Sequence, residues 1–214
     1  MRTSREPMLL PVPLDALRPT QMTVGLREVE RKRAEWRGQR DDAGKYLGRH
    51  MIPVVLGPKG KSYVIDHHHL ARALVEEGQE EVLTTVVADL RPLSQDAFWV
   101  FLDNRGWLHP FDEQGQRRGY ADIPKRIRDL ADDPFRSLAG AVRQAGGYAQ
   151  VTTPFSEFIW AAYQRRLIKQ TTIAKHFHKA PDKERAYARQ HDDRFLPRWC
   201  SRDPDLSHHA TTPA

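Results

Sequence analysis

The chain has 214 residues, 39% hydrophobic and 29% charged, with 34 basic against 28 acidic side chains for a formal charge of +6. That is the composition of a globular protein able to bury a core, and its mild positive bias permits phosphate-rich partners without requiring them. No apolar run reaches the ~18 residues of a membrane span, Pro11 and Pro13 interrupt what would be a signal peptide, and the lone Cys200 excludes an internal disulfide, so a cytoplasmic location with no membrane partner is expected.

Residues 8–20 read as a short strand and a turn, the strand confined to a sheet edge by its two prolines. A helix is expected over 24–37, with Leu26, Val29 and Trp36 near one face, Glu28 and Lys32 paired on another, and Thr23 as its cap. Ile52 to Leu56 reads as a strand, Gly57-Pro58-Lys59-Gly60 as a turn, and Ser62 to Ile65 as the returning strand of a hairpin. A helix over 67–77 should stop at Gly78, and the β-branched run 82–88 is a further strand.

Beyond Arg91-Pro92 the period becomes helical. Ser94 caps a helix running to Asn104; 107–122 is turn-rich, most clearly at Asp112-Glu113-Gln114-Gly115. Ile123, Ile127 and Leu130 share a helical face behind Pro124, and Asp133-Pro134 opens a helix lined by Phe135, Leu138, Ala139 and Val142 that ends at Gly146-Gly147. Thr153-Pro154 starts another helix carrying Phe155, Phe158, Ile159, Ala162 and Tyr163, and a short helix is expected over 182–190. The expected class is α+β: a β-rich phosphate-binding unit over 8–91, a helical lobe over 92–198 and a disordered tail over 199–214.

Chemistry concentrates where a strand meets a helix. Asp66-His67-His68-His69 sits at a helix N-terminus, whose unpaired N–H groups favour an anion. A nearby phosphate recruits a proton to imidazole, which then donates charge-assisted hydrogen bonds. Asp66 can cap the helix, hold Mg²⁺ or Mn²⁺, or orient an imidazole. At most three of these four adjacent side chains can face one pocket. The plain alternative is a cap followed by surface and core histidines.

Gln21 and Thr23, in the loop before the first helix, offer polar groups to the same ligand or simply shape the cap. Glu28 would supply a carboxylate, and Lys32 and Lys61 phosphate-facing cations; taken singly, each reads more simply as solvated charge. The basic clusters Arg117-Arg118, Lys125-Arg126-Arg128 and Arg165-Arg166 are interleaved with acids.

The segment Ile65-Asp66-His67-His68-His69-Leu70-Ala71-Arg72-Ala73-Leu74 resembles the central box of the ParB/sulfiredoxin superfamily, and Val12 to Gln21 is similar to its opening box. The match to the stand-alone ParB-like nuclease family also takes in Thr23-Val24-Gly25, the 132–138 segment and Glu157-Phe158-Ile159-Trp160. In this chain His67 replaces the usual glycine, Leu70 stands at the box's arginine position, and the reductase cysteine is absent.

The resemblance implies a nucleotide or nucleic acid phosphate bound at the box. Relatives with this fold hydrolyse CTP, cut DNA, reduce sulfinic cysteine or phosphorylate free serine. In the serine-kinase relatives a glutamate of the first helix is the base; Glu28 matches it best, then Glu30. Three functions follow. The first is a nuclease or other phosphoester-processing enzyme, with Asp66 holding a divalent metal, His67, His68 and His69 near phosphate, and Glu28 as base. The others are a nucleotide-dependent kinase of a small hydroxyl metabolite and a non-catalytic DNA- or nucleotide-binding module.

Overall fold

The computed structural model describes residues 8–146, Tyr148, 156–177 and Leu196. The chain divides into two units, residues 1–133 and 134–214. The fold is α+β, with seven α-helices and a five-stranded sheet among the described residues.

The elements of the first unit follow in chain order. They are β1 (Met8–Pro13), β2 (Arg18–Pro19), β3 (Thr23–Val24), α1 (Leu26–Arg37), α2 (Ala43–Arg49), β4 (Ile52–Leu56), β5 (Ser62–Val64), α3 (His68–Glu76), β6 (Glu81–Asp89), α4 (Gln95–Asn104) and β7 (Ala131–Asp132). The sheet order is β1-β6-β4-β5-β2, with β1–β6 and β4–β5 antiparallel and β6–β4 and β5–β2 parallel. Proline-bearing β1 lies at an edge, as its missing donors require.

Successive strand residues face opposite sides of a sheet, and both sides are covered here. Ile52, Val54 and Val64 join Val29 and Trp36 of α1 and Leu70, Ala71 and Leu74 of α3 in one core. Val55 and Tyr63 join Phe98 and Leu102 of α4 in another. The central hairpin closes at Gly57, whose missing side chain leaves room for the Tyr63 ring.

The expected helix over 123–130 does not form. Ile127 and Leu130 do enter the first core, but through a 3-10 turn at Ile127–Asp129 that leads into β7, which pairs in parallel with β3. The segment from 92 to Asp133 lies in the first of the two compact units. Thr23 lies in β3, and Gly25 holds the N-cap position of α1.

The second unit contains α5 (Pro134–Gln144), α6 (Ser156–Leu167) and α7 (Gln170–His176). Phe135, Leu138, Ala139 and Val142 of α5 are buried as expected. On α6 the buried face is Trp160, Ala161 and Gln164 rather than Ile159 and Ala162, which are exposed. Arg136, buried, lies 3.4 Å over the Phe158 ring and 3.8 Å from Glu157. The helix expected over 182–190 and the tail over 199–214 lie outside the described residues.

Candidate functional site

After β5 the chain passes Ile65 and Asp66 and turns sharply at His67, which adopts the left-handed conformation (φ 62°, ψ 27°) at the N-cap of α3. The His67 side chain makes no cap bond to this helix, and Asp66 Oδ1 accepts the His67 N–H at 2.7 Å rather than capping the first turn as expected. His67 Nδ1 lies 3.2 Å from the Met51 carbonyl, and both Asp66 and His67 are exposed. A helix N-terminus directs its first backbone N–H groups towards the ground in front of it, here beside the exposed Asp66 and His67.

The next two histidines turn the other way. His68, buried, accepts the Thr20 N–H through Nε2 at 3.2 Å, and His69 accepts the Gly25 N–H through Nε2 at 3.0 Å. A ring nitrogen that accepts an N–H carries no proton, so each of these bonds belongs to an imidazole with its hydrogen on Nδ1. Thr20 Oγ1 donates to the Val64 carbonyl at 2.7 Å. The loop before α1 is thus fastened to the start of α3.

A second tie fixes the helix direction. Arg33 and Arg37 of α1 grip Glu77 at the C-terminal end of α3, at 2.7 and 2.6 Å. Gly25 to Arg33 and His69 to Glu77 both span eight residues, about 12 Å of helix. Helices α1 and α3 therefore run parallel with their N-terminal ends together. The α1 end is occupied, since Asp132 Oδ1 accepts the Leu26 N–H at 2.9 Å.

The structure brings Gln21, Thr23, His68 and His69 together in this loop-and-helix corner. Gln21 is buried, and its Nε2 meets no hydrogen-bond partner among the described residues. Thr23 is buried in the β3–β7 pair. Glu28, one turn into α1, is mostly buried and engaged by Arg31 at 2.9 Å. Lys32 pairs with Glu35 at 2.8 Å. Lys61 is exposed at the opposite end of β5, roughly 15 Å from Asp66 along an extended chain.

Among the described residues no group of three or more His, Cys, Asp or Glu side chains is disposed to hold a metal ion. No helix among them is long and apolar enough to cross a membrane. The contacts that sequence reasoning missed are Thr20, Gly25 and Asp132. Two of these act through backbone N–H groups, which leave no mark on the residue type.

The sequence pattern of the family described as "Putative ParB-like nuclease" matches residues 10–166. The chain belongs to this ParB-like nuclease family. The match runs from β1 into α6 and so includes the α3 box and the loop fastened to it. The crystal structure of protein Atu1540 from Agrobacterium tumefaciens is similar, with a TM-score of 0.87 and 52% identity over 92% of this chain and 100% of that one. No curated protein matches. The left-handed turn at residue 67 gives a physical reason for a glycine in the ParB-like box: glycine adopts it freely, whereas His67 holds it at a cost of about 1–2 kcal/mol.

Proposed function

We propose that this ParB-like protein binds a phosphate of a nucleotide or nucleic acid at the N-terminus of α3 and processes the phosphoester held there. The observation that carries this reading is the convergence of two parallel helix N-termini, with the exposed Asp66 and His67 at the start of α3. Backbone N–H groups at such an end, with the helix dipole behind them, suit a phosphate oxygen. His67, exposed at the mouth, would donate to the same anion. Gln21 would add its amide N–H, which has no partner in the described structure.

Roles within the box then separate. His68 and His69 are positioning residues, because each Nε2 already holds the 20–25 loop. Asp66 is the exposed carboxylate beside the bound phosphate and the group placed to take a proton from attacking water. Glu28, matched by resemblance to a kinase base, is mostly buried and pairs with Arg31.

Calorimetric titration with inorganic phosphate, pyrophosphate and nucleoside triphosphates tests the binding. His67→Ala should weaken it several-fold without lowering the melting temperature. Plasmid nicking, with and without Mg²⁺ or Mn²⁺, tests processing and should vanish in Asp66→Asn. No heat with any phosphate compound, or equal binding by His67→Ala and the unaltered chain, would sink the reading.

A further inference from the structure

The segment from Arg105 to Phe111 is anchored in the second core by Leu108, with Trp107 packed against its edge, and is tied to the loop that holds α3. The His109 N–H donates to the Thr20 carbonyl at 2.9 Å, and His109 bridges in parallel to Gln21. Along this segment burial alternates. Leu108 and Pro110 are buried, while Trp107, His109 and Phe111 are partly buried, each keeping some surface open to solvent. The Phe111 N–H donates back to the His109 carbonyl at 3.0 Å around Pro110, and this tight turn brings the two rings into a stack, 4.5 Å apart and 27° from parallel.

Phe111 belongs to none of the three apolar clusters, so packing does not account for its aromatic surface. Its backbone is nevertheless anchored. Asp112, the next residue and buried, accepts the Gln114 and Gln116 N–H groups at 3.0 and 2.8 Å and pairs with Arg118 at 2.6 Å. Burial pushes the Asp112 carboxyl up, but these donors outweigh it and hold the group below the usual carboxylate range.

The surrounding charge is positive. Residues 105–128 hold six basic side chains against three acidic. Arg117 and Arg118 are engaged by Asp103 and Asp112. Arg105 instead lies over the Trp107 ring, 4.9 Å from its centroid, with no acid against it among the described residues.

We propose that Arg105, Trp107, His109 and Phe111 form a base-stacking surface for single-stranded nucleic acid. Rings with part of their surface open, on a backbone tied by hydrogen bonds and beside a guanidinium with no acid against it among the described residues, are what unpaired bases and their backbone need. A duplex hides its base faces and cannot use them. The surface extends the phosphate-binding reading by naming the polymer as the ligand, and rests on it only for the placing of one phosphate near α3.

Fluorescence anisotropy of the full chain with labelled oligothymidylate, and with its duplex, is the test. The single strand should bind more tightly. Phe111→Leu should weaken it about fivefold or more at an unchanged melting temperature, and Phe111→Trp should restore it. Arg105→Ala should flatten the salt dependence. Equal affinity in Phe111→Leu, or preference for the duplex, overturns the inference. The two readings fail separately. Phosphate binding that survives while Phe111→Leu has no effect sinks only the stacking surface. Phe111-dependent oligonucleotide binding with no response to phosphate or to His67→Ala sinks only the α3 site.

Discussion

Thr20 and His68, 48 residues apart, meet through a backbone N–H and an imidazole nitrogen at 3.2 Å, buried from solvent. Every polar group of Thr20 is used. Its N–H goes to α3, its hydroxyl to β5 and its carbonyl to His109. One residue of the opening box thus joins the helix proposed to hold phosphate, the strand that leads to it, and the segment proposed to stack bases.

His68→Leu should therefore be costly despite similar bulk. It keeps the apolar packing but strands the Thr20 N–H, for a loss of about 1–3 kcal/mol. Urea denaturation would register it. Phosphate titration should also weaken, because the 20–25 loop loses its anchor. Unchanged stability would mean that the Thr20 contact is incidental.

His67→Gly separates stability from binding. The left-handed backbone at this position favours glycine, so the variant should gain about 1 kcal/mol. It also removes the exposed imidazole and should bind phosphate less well. Thermal unfolding with and without phosphate reads both effects. A less stable variant would show that the ring's contact with the Met51 carbonyl outweighs the backbone strain.

Gly57→Ala should destabilise the central hairpin by about 1–3 kcal/mol, the range for overpacking a core. A Cβ there would meet the Tyr63 ring at 2.5 Å and the Phe98 ring at 2.9 Å, and both are locked in the second core. Chemical denaturation is the measurement. A neutral result would show that Tyr63 can swing aside.

Legibility in the sequence followed the range of the interactions. The β4–β5 hairpin, the Gly78 stop and the Ser94 cap were readable because turn and cap chemistry is local: Gly78 has φ 71°, and Ser94 Oγ accepts the Ala97 N–H at 3.3 Å. The β3–β7 pair was not. Two-residue strands about a hundred residues apart carry no periodic signal. Ile123, Ile127 and Leu130 have helical spacing, yet a 3-10 turn followed by an extended residue buries them as well. Helix α2 was hidden by Gly44 and Gly48, poor helix formers. At the candidate site the sequence pointed to the box but not to the division of labour within it. The direction of each histidine depends on the left-handed turn at residue 67, which shows in the sequence only as a departure from the family's glycine.

Glu77 should make the α1–α3 pairing sensitive to acid. Hydrogen bonding by Arg37 first, and by Arg33, holds its carboxyl at about 2 against the opposing push of burial. The ordinary value is 4.5, so the folded form binds its proton less readily than the unfolded chain. The sign follows: the stabilisation is complete above 4.5 and is lost as pH falls from there towards 2. Because the arginines reach solvent, its size at neutral pH is about 1 kcal/mol. Glu77→Gln should lose that much at neutral pH, and the gap to the unaltered chain should close as the pH is lowered. A gap independent of pH would show that Glu77 acts through packing alone. The pairing also keeps Gly25 level with His69, so in the same variant phosphate affinity should fall along with stability.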